Sequence, residues 1–152
     1  MDKISDNLYK TFVYDDRYKY ILEGLGNTLI IAFFAVIIGV ILGIIVSLVR
    51  NNYEVNGKGK ISNFIANSYV TIIRGTPVIL QLMIIYYVIF KSSDVNILIV
   101  GILAFGINSG AYVSEIIRSG INAIDKGQLE AGLALGLSYS KVMRLVIMPQ
   151  AI

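Results

Sequence analysis

Residues 24–49 read GLGNTLIIAFFAVIIGVILGIIVSLV and carry no charge between Glu23 and Arg50. As an α-helix that rises about 1.5 Å per residue, this run is longer than the ~30 Å hydrocarbon core of a membrane. The run is too long for a cleavable signal peptide, and aspartates precede it in place of a short basic region. It therefore predicts a transmembrane helix over residues 24–49.

The composition of the whole chain agrees with a membrane protein. Of 152 residues, 56% are hydrophobic and 15% are charged, which is more apolar surface than one soluble domain of this length can bury. The chain has no Cys and no His, so disulfide scaffolds, thiol nucleophiles and most zinc or imidazole sites are excluded. The net charge of +3 is not gathered into a run, which argues against a nucleic-acid partner. We expect an all-α protein embedded in a lipid bilayer, and not an enzyme.

A second span is predicted over residues 61–90, with a kink near 74–77. Its strongly apolar part begins at Pro77 and is about 21 Å long as a helix, too short to cross alone. The preceding residues repeat apolar side chains at helical spacing and supply the missing length. Pro77 lacks a backbone donor and biases Thr76 away from helical geometry, so Thr76 is expected to cap the second piece, with Pro77 at its first position.

A third span is predicted over residues 95–118, because Val95 to Ser114 is uncharged. A fourth apolar helix begins near residue 142 and reaches residue 152, which is too short to cross a membrane. The sequence is therefore expected to be a fragment of a longer membrane protein or a truncated product.

The polar segment 125–140 separates the third and fourth apolar runs. Asp125 followed by Gln128 resembles a capping box and predicts a short helix. Gly136 suits a left-handed stop at the end of that helix, and Ser138 can cap the next one. The pattern predicts a helix, a sharp elbow and a second helix, although a plain linker of good helix formers is the alternative.

Two glycines give the short helix a possible partner surface. Gly132 and Gly136 are four residues apart, so one face is expected to be bare backbone that another surface can approach closely. Similar pairs occur in the first and third spans, at Gly39 and Gly43 and at Gly106 and Gly110. These pairs predict close helix packing, either within one subunit or between two.

The residues of this elbow resemble the EAA signature of the membrane permease subunits of bacterial ABC importers. The resemblance is carried by Glu130, Ala131, Gly132, Gly136, Val146, Met148 and Pro149. The family favours Ala at position 132, and Gly132 is expected to loosen the helix by ~1 kcal/mol relative to Ala. The family also favours Ile and Leu where this chain has Val146 and Met148, which keeps the apolar character.

A second set of motifs is similar to the permeases that import polar amino acids, of the histidine, glutamine, arginine and cystine uptake type. The matching residues are Arg74-Gly75-Thr76-Pro77, Gln81, Gly110-Ala111-Tyr112, Glu115, Arg118, Gly120-Ile121 and Gly127-Gln128. The resemblance extends from about residue 20 to residue 152. It implies part of a type I ABC importer permease fold, with three full transmembrane helices, the start of a fourth and a cytoplasmic coupling helix, all within a transmembrane domain over 24–152.

The resemblance also implies partners and a mechanism. In such importers the short helix docks in a groove of a separate ATPase subunit, which here assigns the coupling to Glu130, Ala131, Gly132, Gly136 and Pro149. The implied partners are an ATPase dimer, a second permease subunit that is identical or related, and an external solute-binding protein that delivers a polar amino acid. ATP and magnesium would be bound by the ATPase, and this chain would bind no cofactor or metal itself. The alternative is a stand-alone secondary transporter or channel, which would favour carboxylates deep in the spans.

Candidate residues of the substrate path or gate are Arg74, Gln81, Asn108, Tyr112 and Glu115. Each has a simpler structural explanation. Glu115 can form an i,i+3 ion pair with Arg118, and Arg74 can extend to lipid headgroups or neutralise a carboxylate at an inner gate. The uncharged polar side chains can hydrogen-bond a neighbouring helix.

The distribution of Lys and Arg predicts the orientation. The first loop and the region after the third span carry more basic residues than the N-terminal segment and the second loop, which favours a cytoplasmic elbow. Residues 1–23, rich in tyrosine, are then an external interfacial segment. The predicted location is the bacterial plasma membrane, crossed several times, with the N-terminus outside.

Overall fold

The computed structural model describes residues 3–91 and 94–151, and every regular element in these two ranges is helical. The α-helices are α1 (Lys3–Leu8), α2 (Arg17–Asn56), α3 (Lys60–Gly75), α4 (Val78–Ile84), α5 (Ile97–Ala123), α6 (Lys126–Ala134), α7 (Tyr139–Val142) and α8 (Met148–Ala151). Three π-helical turns, Tyr9–Val13, Ile85–Ile89 and Met143–Ile147, and a 3₁₀ turn, Tyr14–Asp16, continue or join them.

Within the described ranges, two helices are long and apolar enough to cross a membrane, or three segments if the bent pair α3 and α4 counts as one. Helix α2 begins at Arg17 and ends at Asn56, so it extends past the predicted span 24–49 at both ends. Helix α5 likewise continues to Ala123, beyond residue 118. The difference has a simple cause, because charge marks the edge of the hydrocarbon and a helix can continue through the headgroups into water.

The helix is interrupted between the N-terminal segment and α2, while the chain itself is continuous. Asp15 and Asp16 both have positive φ angles, 59° and 54°, which places two successive residues in the left-handed conformation. Helix α2 therefore begins at Arg17, within the predicted interfacial segment. Met1 and Asp2, the first residues of the predicted segment, lie outside the described ranges.

The helix direction bends by 112° between α3 and α4 with its π-helical turn, at the place where the sequence predicts a kink. The predicted capping is wrong. Pro77 occupies the N-cap position of α4 and Thr76 is the last residue associated with α3. The Thr76 hydroxyl donates to the Ile72 carbonyl at 2.8 Å, which satisfies an acceptor at the end of α3.

The apolar stripe of α3 faces away from the rest of the chain. Its side chains are largely exposed, and the small residues Ala66 and Val70 face inward. The exposed members are Ile61, Phe64, Ile65 and Ile72. A helix with its apolar side outward is suited to lipid.

Helices α2 and α5 pack closely and run parallel. A Cβ atom built on Gly39 would lie 2.5 Å from Ser109 Oγ, and one built on Gly43 would lie 2.5 Å from a methyl carbon of Val113. The contacts advance along both helices in the same direction, so the helices are parallel. Gly106 and Gly110 of α5 meet the side chains of α2 in the same way, and both small-residue pairs thus serve packing within this chain.

Helix α4 and its π-helical turn complete the apolar packing on α5. Ile85, Val100 and Ala104 form a buried cluster, with Leu82 and Phe90 packed beside it. The predicted fourth helix starts near residue 142, and the structure begins it at Tyr139 and continues it as helical turns to Ala151. Ile152, its predicted last residue, lies outside the described ranges.

Candidate functional site

The short helix α6 begins with a side-chain cap. Asp125 Oδ1 accepts a hydrogen bond from the Gly127 backbone N–H at 2.6 Å, and the Asp125 carbonyl accepts one from the Gln128 N–H at 3.0 Å. The carboxylate also lies at the positive end of the helix dipole. Asp125 therefore fixes where α6 starts.

The end of α6 is a Schellman turn. Gly136 has a φ of +79°, its N–H donates to the Leu133 carbonyl at 2.9 Å, and the Leu137 N–H donates to the Gly132 carbonyl at 3.2 Å. A left-handed glycine after the last helical residue produces this pattern of bonds. Ser138 then holds the N-cap position of α7, as the sequence predicts, but its side chain makes no capping bond.

Gly132 differs from the expectation that it presents open backbone to a partner. It is buried in α6, and a Cβ atom built on it would lie 2.7 Å from Val142 Cγ2. The bare face of this glycine is therefore covered by the chain itself. Val142 was not a candidate from the sequence, because nothing local relates a valine in the next helix to a glycine in this one.

The outward side of the elbow is apolar as well as acidic. Leu135 is 82% exposed and Leu133 is 44% exposed, and Glu130, Ala131 and Gly136 are exposed beside them. The elbow therefore presents two exposed leucines beside an exposed carboxylate. The sequence signal for this surface is the pair of leucines, Leu133 and Leu135, directly before the glycine stop.

A cavity of about 530 Å³ lies between the end of α2 and α6. Its lining includes the carboxylates of Glu54, Asp125 and Glu130 and the side chains of Lys126 and Tyr139. Its charge suits a basic side chain. In the described part of the chain, no three His, Cys, Asp or Glu side chains are grouped to hold a metal ion.

Two contacts connect the helices after α6 to the long helices. The Tyr139 hydroxyl lies 3.3 Å from Asn51 Nδ2 of α2. A Cβ atom built on Gly120 of α5 would lie 2.7 Å from the Ala151 carbonyl oxygen. Helices α7 and α8 are therefore seated directly on α2 and α5.

Glu115 is the centre of a charged cluster at this end of the long helices. Its carboxylate binds Arg50 at 2.8 Å and Arg118 at 3.1 Å, and Arg74 approaches to 3.8 Å. Arg118 also lies 3.5 Å from Glu54. The i,i+3 pair with Arg118 is present as predicted. Arg50, which makes the shortest contact with Glu115, was missed because it belongs to α2.

Arg74 reaches two residues of α5. Its guanidinium carbon lies 5.6 Å from the centre of the Tyr112 ring, within the range of a cation–π interaction. Of the two predicted roles, lipid contact or pairing with a carboxylate, the structure places Arg74 beside a carboxylate. Tyr112 stays 45% exposed.

Gln81 holds the bend between α3 and α4. It is buried, and its Nε2 donates to the Ile73 carbonyl and to Thr76 Oγ1, both at 2.8 Å. Its Oε1 accepts from Asn108 Nδ2 of α5 at 3.0 Å. In this conformation the side-chain amides of Gln81 and Asn108 bind a neighbouring helix, which is the structural alternative that the sequence left open.

Comparison with known proteins gives a consistent result. Residues 35–152 match the family described as the binding-protein-dependent transport system inner membrane component. The arginine transport system permease protein ArtQ of Bacillus subtilis is 47% identical over 139 residues, which cover 87% of this chain and 59% of the relative. The putative glutamine transport system permease protein GlnP of Rickettsia prowazekii is 40% identical over 141 residues, 91% of this chain and 62% of its own length.

A solved structure is similar over nearly the whole chain. The crystal structure of an amino acid ABC transporter with histidines aligns with 99% of this chain and 65% of its own, with a TM-score of 0.77 and 36% sequence identity. The chain spans 59% and 62% of the lengths of the two curated relatives.

Proposed function

The chain belongs to the family of binding-protein-dependent transport system inner membrane components, and from this membership we propose that it forms the membrane path of an ATP-driven importer for a polar amino acid. Its relatives are permease components of amino acid ABC transporters, which are not enzymes. Proteins named for arginine and glutamine transport are among them. These names support the substrate class and leave the individual amino acid open.

The proposed topology has three crossings and the start of a fourth within a transmembrane domain over 24–152, as in the type I importer fold. The parallel packing of α2 and α5 supports it. Two parallel helices joined along one chain need a return crossing between them. Among the described residues, the helical elements in that connection are α3, α4 and the π-helical turn Ile85–Ile89. The bent pair is therefore proposed as one crossing and not a re-entrant loop. The basic residues at the far ends of α2 and α5 favour a cytoplasmic elbow and an external N-terminus.

The elbow is proposed as the coupling segment. The carrying observation is a capped short helix, with Glu130 and Ala131 exposed and Leu135 exposed at its end, that is joined to α7, where Tyr139 contacts Asn51 of α2. The acidic cavity beneath it can receive a basic side chain of an ATP-hydrolysing partner. Gly136 shapes the turn and is exposed at the docking surface, whereas Gly132 is buried and supports that surface from inside. Pro149 follows in α8, on the helix seated against α5.

The proposed assembly follows from the family. An ATPase dimer would bind ATP and magnesium and dock on the elbow, a second permease subunit would complete the membrane path, and an external solute-binding protein would deliver the amino acid. The residues Arg74, Tyr112 and Glu115 are proposed as part of the inner gate, because a charged cluster between three helices at one end of a path can open only when those helices separate. Gln81 and Asn108 are proposed to shape the path by holding the bend.

The experiment that tests this function measures uptake of radiolabelled polar amino acids by membrane vesicles. We expect uptake to require ATP and the ATPase partner. A cysteine at Ala131, in a chain with no native cysteine, should crosslink to a nucleotide-hydrolysing protein and should react with an impermeant reagent only in inside-out vesicles. Uptake driven by an ion gradient without ATP would indicate the stand-alone transporter and overturn the proposal.

A further inference from the structure

The elbow between α6 and α7 is closed by contact between a glycine and a fully buried valine. A Cβ atom built on Gly132 would lie 2.7 and 2.8 Å from the two γ-carbons of Val142. Val142, the last residue of α7, has 0% of its surface exposed. The two helices therefore meet without space for one more methyl group.

Backbone hydrogen bonds close the end of α6 before this turn and the start of α7 after it. Two bonds from Gly136 and Leu137 close the end of α6. On the other side, the N–H groups of Lys141 and Val142 donate to the Ser138 carbonyl at 2.9 and 3.0 Å. A turn with these bonds and a packed interior contact has little freedom to change its angle.

We propose that Val142 is a positioning residue, which packs on Gly132 so that α6 and α7 move as one rigid body. This inference rests on the proposed docking of α6 to an ATPase. Force applied to α6 would then pass to α7 without loss at the turn. From there it reaches α2 through Tyr139 and Asn51, 3.3 Å apart.

The contact predicts that a smaller residue at 142 and a larger residue at 132 each disturb the packing, and that the two substitutions compensate when they are combined. Val142→Ala leaves a space beside Gly132, so α6 can rock while α7 stays in place. Gly132→Ala adds a methyl group where no space exists and forces the helices apart. In the double variant the added methyl occupies part of the space that the valine leaves, and the contact is restored.

The first measurement is the number of amino acid molecules transported per ATP hydrolysed, with the permease reconstituted together with its ATPase and binding protein. Each single variant should lower this ratio about fivefold or more, a typical coupling effect between sites, and the double variant should recover most of it. Val100→Ala is the matched control, because Val100 is equally buried, at 1% exposed, and packs in the α4–α5 cluster away from the elbow. It should lower thermal stability and keep the ratio.

The second measurement reports on the elbow itself. Gln128 of α6 and Lys141 of α7 are exposed, and spin labels on cysteines at these positions give the distance distribution between the helices. We expect a narrow distribution in the parent, a broad one in Val142→Ala and a narrow one again in the double variant. A parent-like distribution and a parent-like transport ratio in Val142→Ala would overturn the inference. If the parent itself transports nothing with ATP, the proposed function fails, while the label distances still decide whether the elbow is rigid.

Discussion

Arg50 of α2 donates a hydrogen bond to Glu115 of α5 across 2.8 Å, although 65 positions separate them in the chain. The side chains are 11% and 19% exposed, so both charges are largely withdrawn from water. Glu115 is also the shared partner of Arg74 and Arg118. One carboxylate thereby joins α2, α3 and α5 at the end that carries the elbow.

Glu115→Gln should destabilise the fold, because it removes the negative charge that pairs with the buried Arg50 guanidinium. Removing one partner of a buried pair costs about 3 kcal/mol, and thermal unfolding in detergent measures the loss. Lys19→Ala is the control, since the Lys19–Asp16 pair is exposed and contributes little. Equal unfolding temperatures for the parent and Glu115→Gln would show that the cluster does not hold the helices together.

Gly136→Val should uncouple ATP hydrolysis from transport and leave membrane insertion intact. The φ of +79° at this position costs a residue with a side chain about 1–2 kcal/mol, and a β-branched residue is the least suited to it. Uptake and ATP hydrolysis are measured in the same vesicles. Gly24→Val is the control, because nothing lies within 4 Å of a Cβ atom there and φ is not positive. Normal transport by Gly136→Val would remove the elbow from the coupling mechanism.

Gly39→Ala should separate α2 from α5. The new methyl carbon would lie 2.5 Å from Ser109 Oγ, and overpacking of this kind costs about 1–3 kcal/mol. A lower midpoint of thermal unfolding is expected. The matched variant Gly26→Ala meets no atom within 4 Å and should be at least as stable as the parent, because Ala favours a helix more than Gly does. If the two variants unfold alike, the close approach of these helices is not required.

Gln81→Leu should loosen the bend between α3 and α4. The change leaves Asn108 without its acceptor and the Ile73 carbonyl without the amide that binds it, and an unsatisfied buried polar group costs about 1–3 kcal/mol. Spin labels on exposed residues of α3 and α4 should show a broader distance distribution. Gln150→Leu is the control on an exposed glutamine, and an unchanged distribution in Gln81→Leu would assign the bend to Pro77 alone.

Much of the fold could be predicted from local sequence. The uncharged runs predicted the spans within α2 and α5. Pro77 predicted the break between α3 and α4, and Gly136 predicted the turn after α6. Each of these signals acts over a few residues, through hydration of apolar side chains or through allowed backbone angles. The candidate site was less accessible, because its polar residues could be singled out but their partners could not.

The amino-acid sequence by itself determined that this chain is helical, enters a membrane and carries a capped, glycine-ended elbow. Only the tertiary structure decided that Glu115 is held by Arg50, that Gln81 fastens the bend to Asn108, and that Gly132 is covered by Val142. The physical reason is the distance along the chain over which each kind of interaction acts. Helix formation and membrane insertion depend on neighbours along the chain, whereas ion pairs, buried amides and glycine contacts depend on which helices lie side by side.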